Sequence, residues 1–174
     1  MVKTAAEYLA LMEDHDFSSV IYKYSVENKF DEETSRETLE EMKKWLAMCA
    51  SNPNNDYVLF GEVDVMWHQF ILFTKKYREF CDQVFGYFLD HVPGQDERIK
   101  KIIASEESDV LKAKLINLKK DGYKSFMDDY KSTFNVDTLP YPWESIDDLK
   151  DRPSCGCGCK GSCLCTGPGG GGHP

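Results

Sequence analysis

An all-α fold is the architecture this chain predicts: a single compact helical bundle of about six to seven helices with a disordered Gly/Cys-rich C-terminal tail. Three observations carry that expectation. From Ala5 to Phe134 the apolar residues recur at three- and four-residue steps, and strand alternation is almost absent. Proline, glycine and asparagine punctuate the periodic stretches, as at Ser51-Asn52-Pro53-Asn54-Asn55 and Pro93-Gly94. At Pro153 the composition changes abruptly, and almost nothing apolar follows. With 174 residues, 41% of them hydrophobic and 13% aromatic, the chain can bury one real core but has no room for a second full domain. The expected division is a helical domain over 1–152 and a flexible tail over 153–174.

The elements follow in order. Ala5, Leu9 and Met12 stand at helical spacing and predict a short first helix. Phe17, Val20, Ile21, Tyr24 and Val26 predict a second, begun by an Asp16 or Ser18 cap and ending around Asn28-Lys29. Asp31 is suited to cap the third, with Glu32 and Glu33 favouring its positive end. Leu39, Met42, Trp45, Leu46 and Cys49 form that helix's buried stripe.

Val63 to Pro93 is the densest stretch, combining Trp67, Phe70, Phe73, Tyr77, Phe80, Phe85 and Phe88 with Asp64, His68, Cys81 and His91. Read as one rod to Asp90 it would run about 42 Å, so a break is expected near Thr74. The Thr74 hydroxyl can cap the new helix, and Lys75 and Lys76 can face the carbonyl end of the old one. Beyond Pro93-Gly94, Asp96 is a plausible cap, and Ile99 to Leu118 continue the helical pattern with an interruption around Ser105 to Ser108. Gly122 is placed like a C-cap glycine. Tyr123, Phe126, Met127, Tyr130 and Phe134 supply a last aromatic face, and the proline-containing Leu139 to Trp143 is expected to lie extended, with Trp143 as a lid.

Asp64-x-x-Trp67-His68, then Tyr77, Cys81 and Gly86, then His91-x-Pro93 resemble the signature of the glycine-rich domain-containing protein-like family. The resemblance spans Phe17 to Trp143. It implies an all-helical domain, often followed by a glycine- or cysteine-rich tail, and no established catalytic activity.

Asp64, His68, Cys81 and His91 are the candidate polar site. Asp64 and His68 stand four apart on one helix face, where a carboxylate can orient an imidazole as it does behind metal-bound histidines. A turn at Thr74 brings Cys81 level with His68, so a His68–Cys81 or an Asp64–His91 pairing is easier than one compact site of all four. The competing readings are structural: Asp64 and His68 as a buried pair locking helix packing, Cys81 as a small core hydrophobe, and His91 as a helix C-terminal cap. A Cys81–His68 nucleophile and base lacks an evident oxyanion stabiliser and sits among apolar residues that do not lower a thiol pKa.

The tail reads SCGCGCKGSCLCTGPGGGGHP, with Cys155, Cys157, Cys159, Cys163 and Cys165 in Cys-x-Cys steps. It cannot bury enough surface to offset its ordering entropy. Its spacing resembles that of metallothioneins. Soft thiolates select Cu(I) or Zn(II), five sulfurs exceed the four a zinc site needs, and binding would supply the missing ordering energy. His173, one residue from the end, can add a ligand or remain solvated.

Thirty acidic residues against 21 basic ones give a formal charge of −9, a field that disfavours nucleic acid and anionic membrane surfaces. Lys100, Lys101, Lys112, Lys114, Lys119 and Lys120 interleave with Glu97, Glu106, Glu107 and Asp109 as a solvated helix face. No apolar run approaches the length of a membrane span, and Met1-Val2-Lys3-Thr4 lacks the apolar stretch of a signal peptide, so the expected compartment is the cytoplasm. No motif implies a nucleotide or organic cofactor. The leading expectation is a non-enzymatic protein that binds or buffers Zn or Cu(I), its helical domain docking to a protein partner. The alternative is an adaptor whose tail a partner enzyme modifies, and the third is a metal-dependent enzyme built on the Asp64/His68 region.

Overall fold

A computed structural model describes residues 2–55, 57–93, 108–143, 145 and 163–166, with 92–93, 108–119 and 163–166 described by their backbone alone. Among them are six helices, α1 (Ala5–Met12), α2 (Ser18–Asn28), α3 (Glu32–Ser51), α4 (Gly61–Leu72), α5 (Thr74–Val84) and α6 (Ser108–Phe134). Three short strands accompany them, β1 (Val58–Leu59), β2 (Asp90–Pro93) and β3 (Cys163–Thr166). The chain is therefore all-α, as the periodicity predicts.

The helix starts obey local chemistry. Thr4 and Glu7 form a reciprocal capping box at α1, a Thr-x-x-Glu signal that the sequence carries openly. Asp31 caps α3 by accepting the Thr34 amide at 2.7 Å. At α2 the cap residue is Phe17, and Asp16 sits one position earlier, accepting the Ser18 amide at 2.9 Å. Lys29 closes α2 in the left-handed region (φ 61).

α3 is the hub. It packs against α1, α2 and α4, and every residue from Trp45 to Ala50 is buried, the mark of a helix enclosed all round in its second half. Trp45 meets Trp67 of α4 with ring centroids 4.6 Å apart. Phe17, Phe70, Tyr77, Phe80 and Phe85 continue the core as a chain of edge-to-face rings.

Several expectations are corrected. The break between α4 and α5 falls where it was placed, but Phe73 is the junction and no side chain caps α5. Thr74 is already helical. Lys76 does not face the end of α4; its ammonium donates to Ser19 (2.9 Å) and Asp16 (3.3 Å), fastening α5 to the start of α2. Lys75 reaches Glu79 instead, at 3.9 Å. α5 ends at Val84 rather than near Asp90. Gly86 takes φ +75 and returns its amide to the Cys81 carbonyl at 3.0 Å, a glycine-dependent helix stop. His91 consequently lies in β2 and caps no helix. Gly122 is no C-cap, because α6 runs through it for 27 residues and stops before Asn135 (φ 53). Val26 is exposed, and Tyr8 rather than Leu9 fills the α1 stripe. Asp96, Lys100, Lys101, Ser105, Cys155, Cys157, Cys159 and His173 lie outside the described residues.

Trp143 is buried against Phe126 and Tyr130 of α6, with centroids 4.7 and 5.9 Å away. The strands form a small antiparallel sheet in the order β1-β3-β2. The middle strand, Cys163–Thr166, falls within the tail's only glycine-free run of this length, Ser162 to Thr166. Cys165 stands opposite His91, Leu164 opposite both Val92 and Val58, and Cys163 opposite both Pro93 and Leu59.

Candidate functional site

Asp64 lies in the first turns of α4 and is fully buried. One turn on, the His68 ring Nδ1 is 2.6 Å from the Asp64 backbone carbonyl and 3.3 Å from Asp64 Oδ1. A carbonyl can only accept, so His68 Nδ1 carries the proton, and the Nε2 of the neutral ring presents its lone pair. That Nε2 meets His91 Nε2 at 2.6 Å. The two rings stand edge to face with centroids 4.4 Å apart, and Trp67 flanks the His91 ring at 5.1 Å.

Burial disfavours charge on both rings. His68 is held below its ordinary pKa by desolvation, which the backbone bond to Asp64 partly opposes. His91 is lowered to about 4, first by desolvation and then by the His68 ring facing it. Both imidazoles are therefore neutral at pH 7, the form that binds metals.

The frame behind the pair comes from α5. Tyr77 donates its hydroxyl to the Leu89 carbonyl at 2.8 Å and receives the Trp67 indole N–H at 3.3 Å. This hydroxyl joins α4, α5 and the chain entering β2, which sets where His91 stands. Cys81 belongs to the frame and not to the pair. It is buried, its thiol interacts with the Leu89 backbone and the Tyr77 side chain, and burial pushes its pKa up. The easy pairings expected from sequence, His68–Cys81 and Asp64–His91, give way to Asp64–His68–His91. The physical reason is that the chain leaves α5 at Gly86 and returns as a strand, which carries His91 back over α4 while Cys81 faces the core.

A second buried polar cluster was not anticipated. Glu41 of α3 accepts from Tyr130 Oη and Trp143 Nε1, both at 2.6 Å, and from Lys44 Nζ at 2.7 Å. The available signal was position: Glu41 lies one turn before Trp45, on the side of α3 that holds the apolar stripe.

Among the described residues no three His, Cys, Asp or Glu side chains are grouped so as to hold a metal ion. His68 and His91 offer two donors, with Asp64 behind the first. No helix among the described residues is long and apolar enough to cross a membrane. Residues 8–113, a span containing all four candidate positions, match the UCP032817-like family. No curated protein and no solved structure matches the chain.

Proposed function

We propose, for a chain that belongs to the UCP032817-like family, a non-enzymatic role in binding or buffering Zn(II) or Cu(I). In this reading Cys155, Cys157, Cys159, Cys163 and Cys165 carry the metal and the helical domain serves as carrier and as docking module for a protein partner. The observation that supports it most is the His68–His91 pair. Two neutral imidazoles meet nitrogen to nitrogen at 2.6 Å, in a chain whose closing segment offers five thiols within eleven positions, 155 to 165. Imidazole and thiolate are the donors that zinc and cuprous ions take from proteins.

The resemblance to the glycine-rich domain-containing protein-like family is consistent with this division into a helical body and a cysteine-rich extension. A reducing compartment such as the cytoplasm, where thiols stay free for metal, belongs to the same reading. Cys81 gives no support to a hydrolase, since its thiol pKa is raised and a nucleophile needs it lowered.

The test is elemental analysis of the full chain, purified under reducing conditions, beside a variant with all five tail cysteines changed to serine. The expected result is zinc or copper bound by the first and largely lost from the second. Metal held equally by both would move the reading to an enzyme-like centre in the bundle. No uptake by either, with both metals in excess, would leave the adaptor with a modified tail.

A further inference from the structure

We infer that His68, His91, Cys163 and Cys165 together form one four-coordinate zinc-type site, in which β3 contributes its two cysteines to the histidine pair. This rests on the metal-binding reading above and deepens it by naming the ligands.

The argument begins with the sheet. In an antiparallel pair, residues directly opposite share a face, and residues two apart on one strand share it too. Cys165 is the register partner of His91, and Cys163 is the partner of Pro93. His91, Pro93, Cys163 and Cys165 thus occupy one face of the sheet. It is the face on which His91 meets His68 and Trp67 of α4. Two cysteine positions thereby share a sheet face with His91, whose ring already converges on His68.

The donor set fits the ion. Two imidazoles and two thiolates complete a tetrahedral shell of the structural type, with no position left for substrate. Two nitrogens at about 2.0–2.1 Å from such an ion would stand about 3.3 Å apart, so the pair needs to open by about 0.7 Å from its 2.6 Å contact. His68 is already in the required tautomer, its Nδ1–H committed to the Asp64 carbonyl, an outer hydrogen bond of the kind that orients metal-bound histidines. Binding balances in protons: each thiol releases one, and any proton shared between the two Nε2 atoms moves to His91 Nδ1. The site is also consistent with the place of β3 between β1 and β2, since the metal would hold Cys163 and Cys165 of the strand that main-chain bonds hold on both sides.

The experiment uses the reduced, metal-free full chain with Zn(II), and Co(II) as a spectroscopic probe. X-ray absorption at one equivalent of zinc is expected to show nitrogen and sulfur ligands in equal number. His91→Gln and the pair Cys163→Ser/Cys165→Ser are each expected to weaken the first equivalent by at least about tenfold. Cys155→Ser/Cys157→Ser/Cys159→Ser should leave it within about threefold. Circular dichroism checks that each variant stays helical, and the wild-type absorption measurement needs no variant at all. An all-sulfur shell overturns the mixed site while the tail remains a metal binder. So does a first equivalent that survives His91→Gln and vanishes in the triple variant. Failure to take up zinc or copper in any form overturns both readings.

Discussion

The buried carboxylate of Glu41 and the paired imidazoles of His68 and His91 each fasten a late segment of the chain to an earlier helix. Glu41 ties α6 and Trp143 to α3, and His68 meets β2 through His91. Their chemistry differs. At Glu41 one acceptor group is matched to three donors, Lys44 supplies the counter-charge, and the cluster is complete as a structural tie. At His68 two groups of the same kind face each other, the accepting Nε2 of His68 against the Nε2 of His91, with burial keeping both uncharged. A pairing of like groups satisfies geometry less specifically than a carboxylate with its donors, and it leaves ligand chemistry available. Burial of polar groups alone therefore does not identify a site; the complementarity of the partners separates a lock from a candidate centre.

The contrast can be broken first at Glu41. Glu41→Ala should destabilise the chain by about 3–4 kcal/mol in denaturant unfolding, because it strands the Tyr130 hydroxyl and the Trp143 indole N–H, yet leave zinc affinity unchanged. A loss of metal binding would erase the distinction between the two regions.

A pH series comes next. His91, and His68 in the same direction, have folded pKa values below the ordinary 6.5, so the unfolded chain takes up these protons first. The stabilisation from neutral burial is fully present above about pH 6.5 and is lost as pH falls toward about 4, by about 2–3 kcal/mol for His91 after solvent screening of its partly exposed ring reduces the full shift. His91→Gln should flatten that segment of the stability curve in the metal-free chain, whereas Glu41→Ala should not.

Tyr77→Phe sharpens the comparison from the frame. Losing the bond to Leu89 should cost about 1–2 kcal/mol, and because that bond sets the entry to β2 the variant should also bind zinc more weakly. The smallest effect is expected at Cys81→Ala, about 1 kcal/mol from the lost buried sulfur, with zinc affinity intact. A large loss of affinity there would return Cys81 to the ligand set.

The helices were legible because their causes are local. The stripe Leu39, Met42, Trp45, Leu46 and Cys49 and the Asp31 cap both act within a turn or two of the chain, and the structure keeps both. Gly122 shows the limit of such local rules. A glycine in a helix costs only about 1 kcal/mol against alanine, and Tyr123, Phe126 and Tyr130, all buried, outweigh it. The rod-length argument at Thr74 reached the right break without a general rule behind it, since α6 is nearly as long as the rod it excluded.

Of the candidate site, composition pointed to Asp64, His68, Cys81 and His91, and helical spacing joined the first two. What joined His68 to His91 was the stop at Gly86 and the strand after it, and only the register between β2 and β3 set Cys165 opposite His91. The sequence by itself thus determined the helical class, the Asp31 cap, most of the apolar faces and the kinds of donor present, because periodicity and capping are properties of neighbours along the chain. The tertiary structure alone decided which donors meet, because contacts between residues 23 positions apart, or across the Glu41–Trp143 tie, depend on how separate elements pack, and no local spacing encodes that.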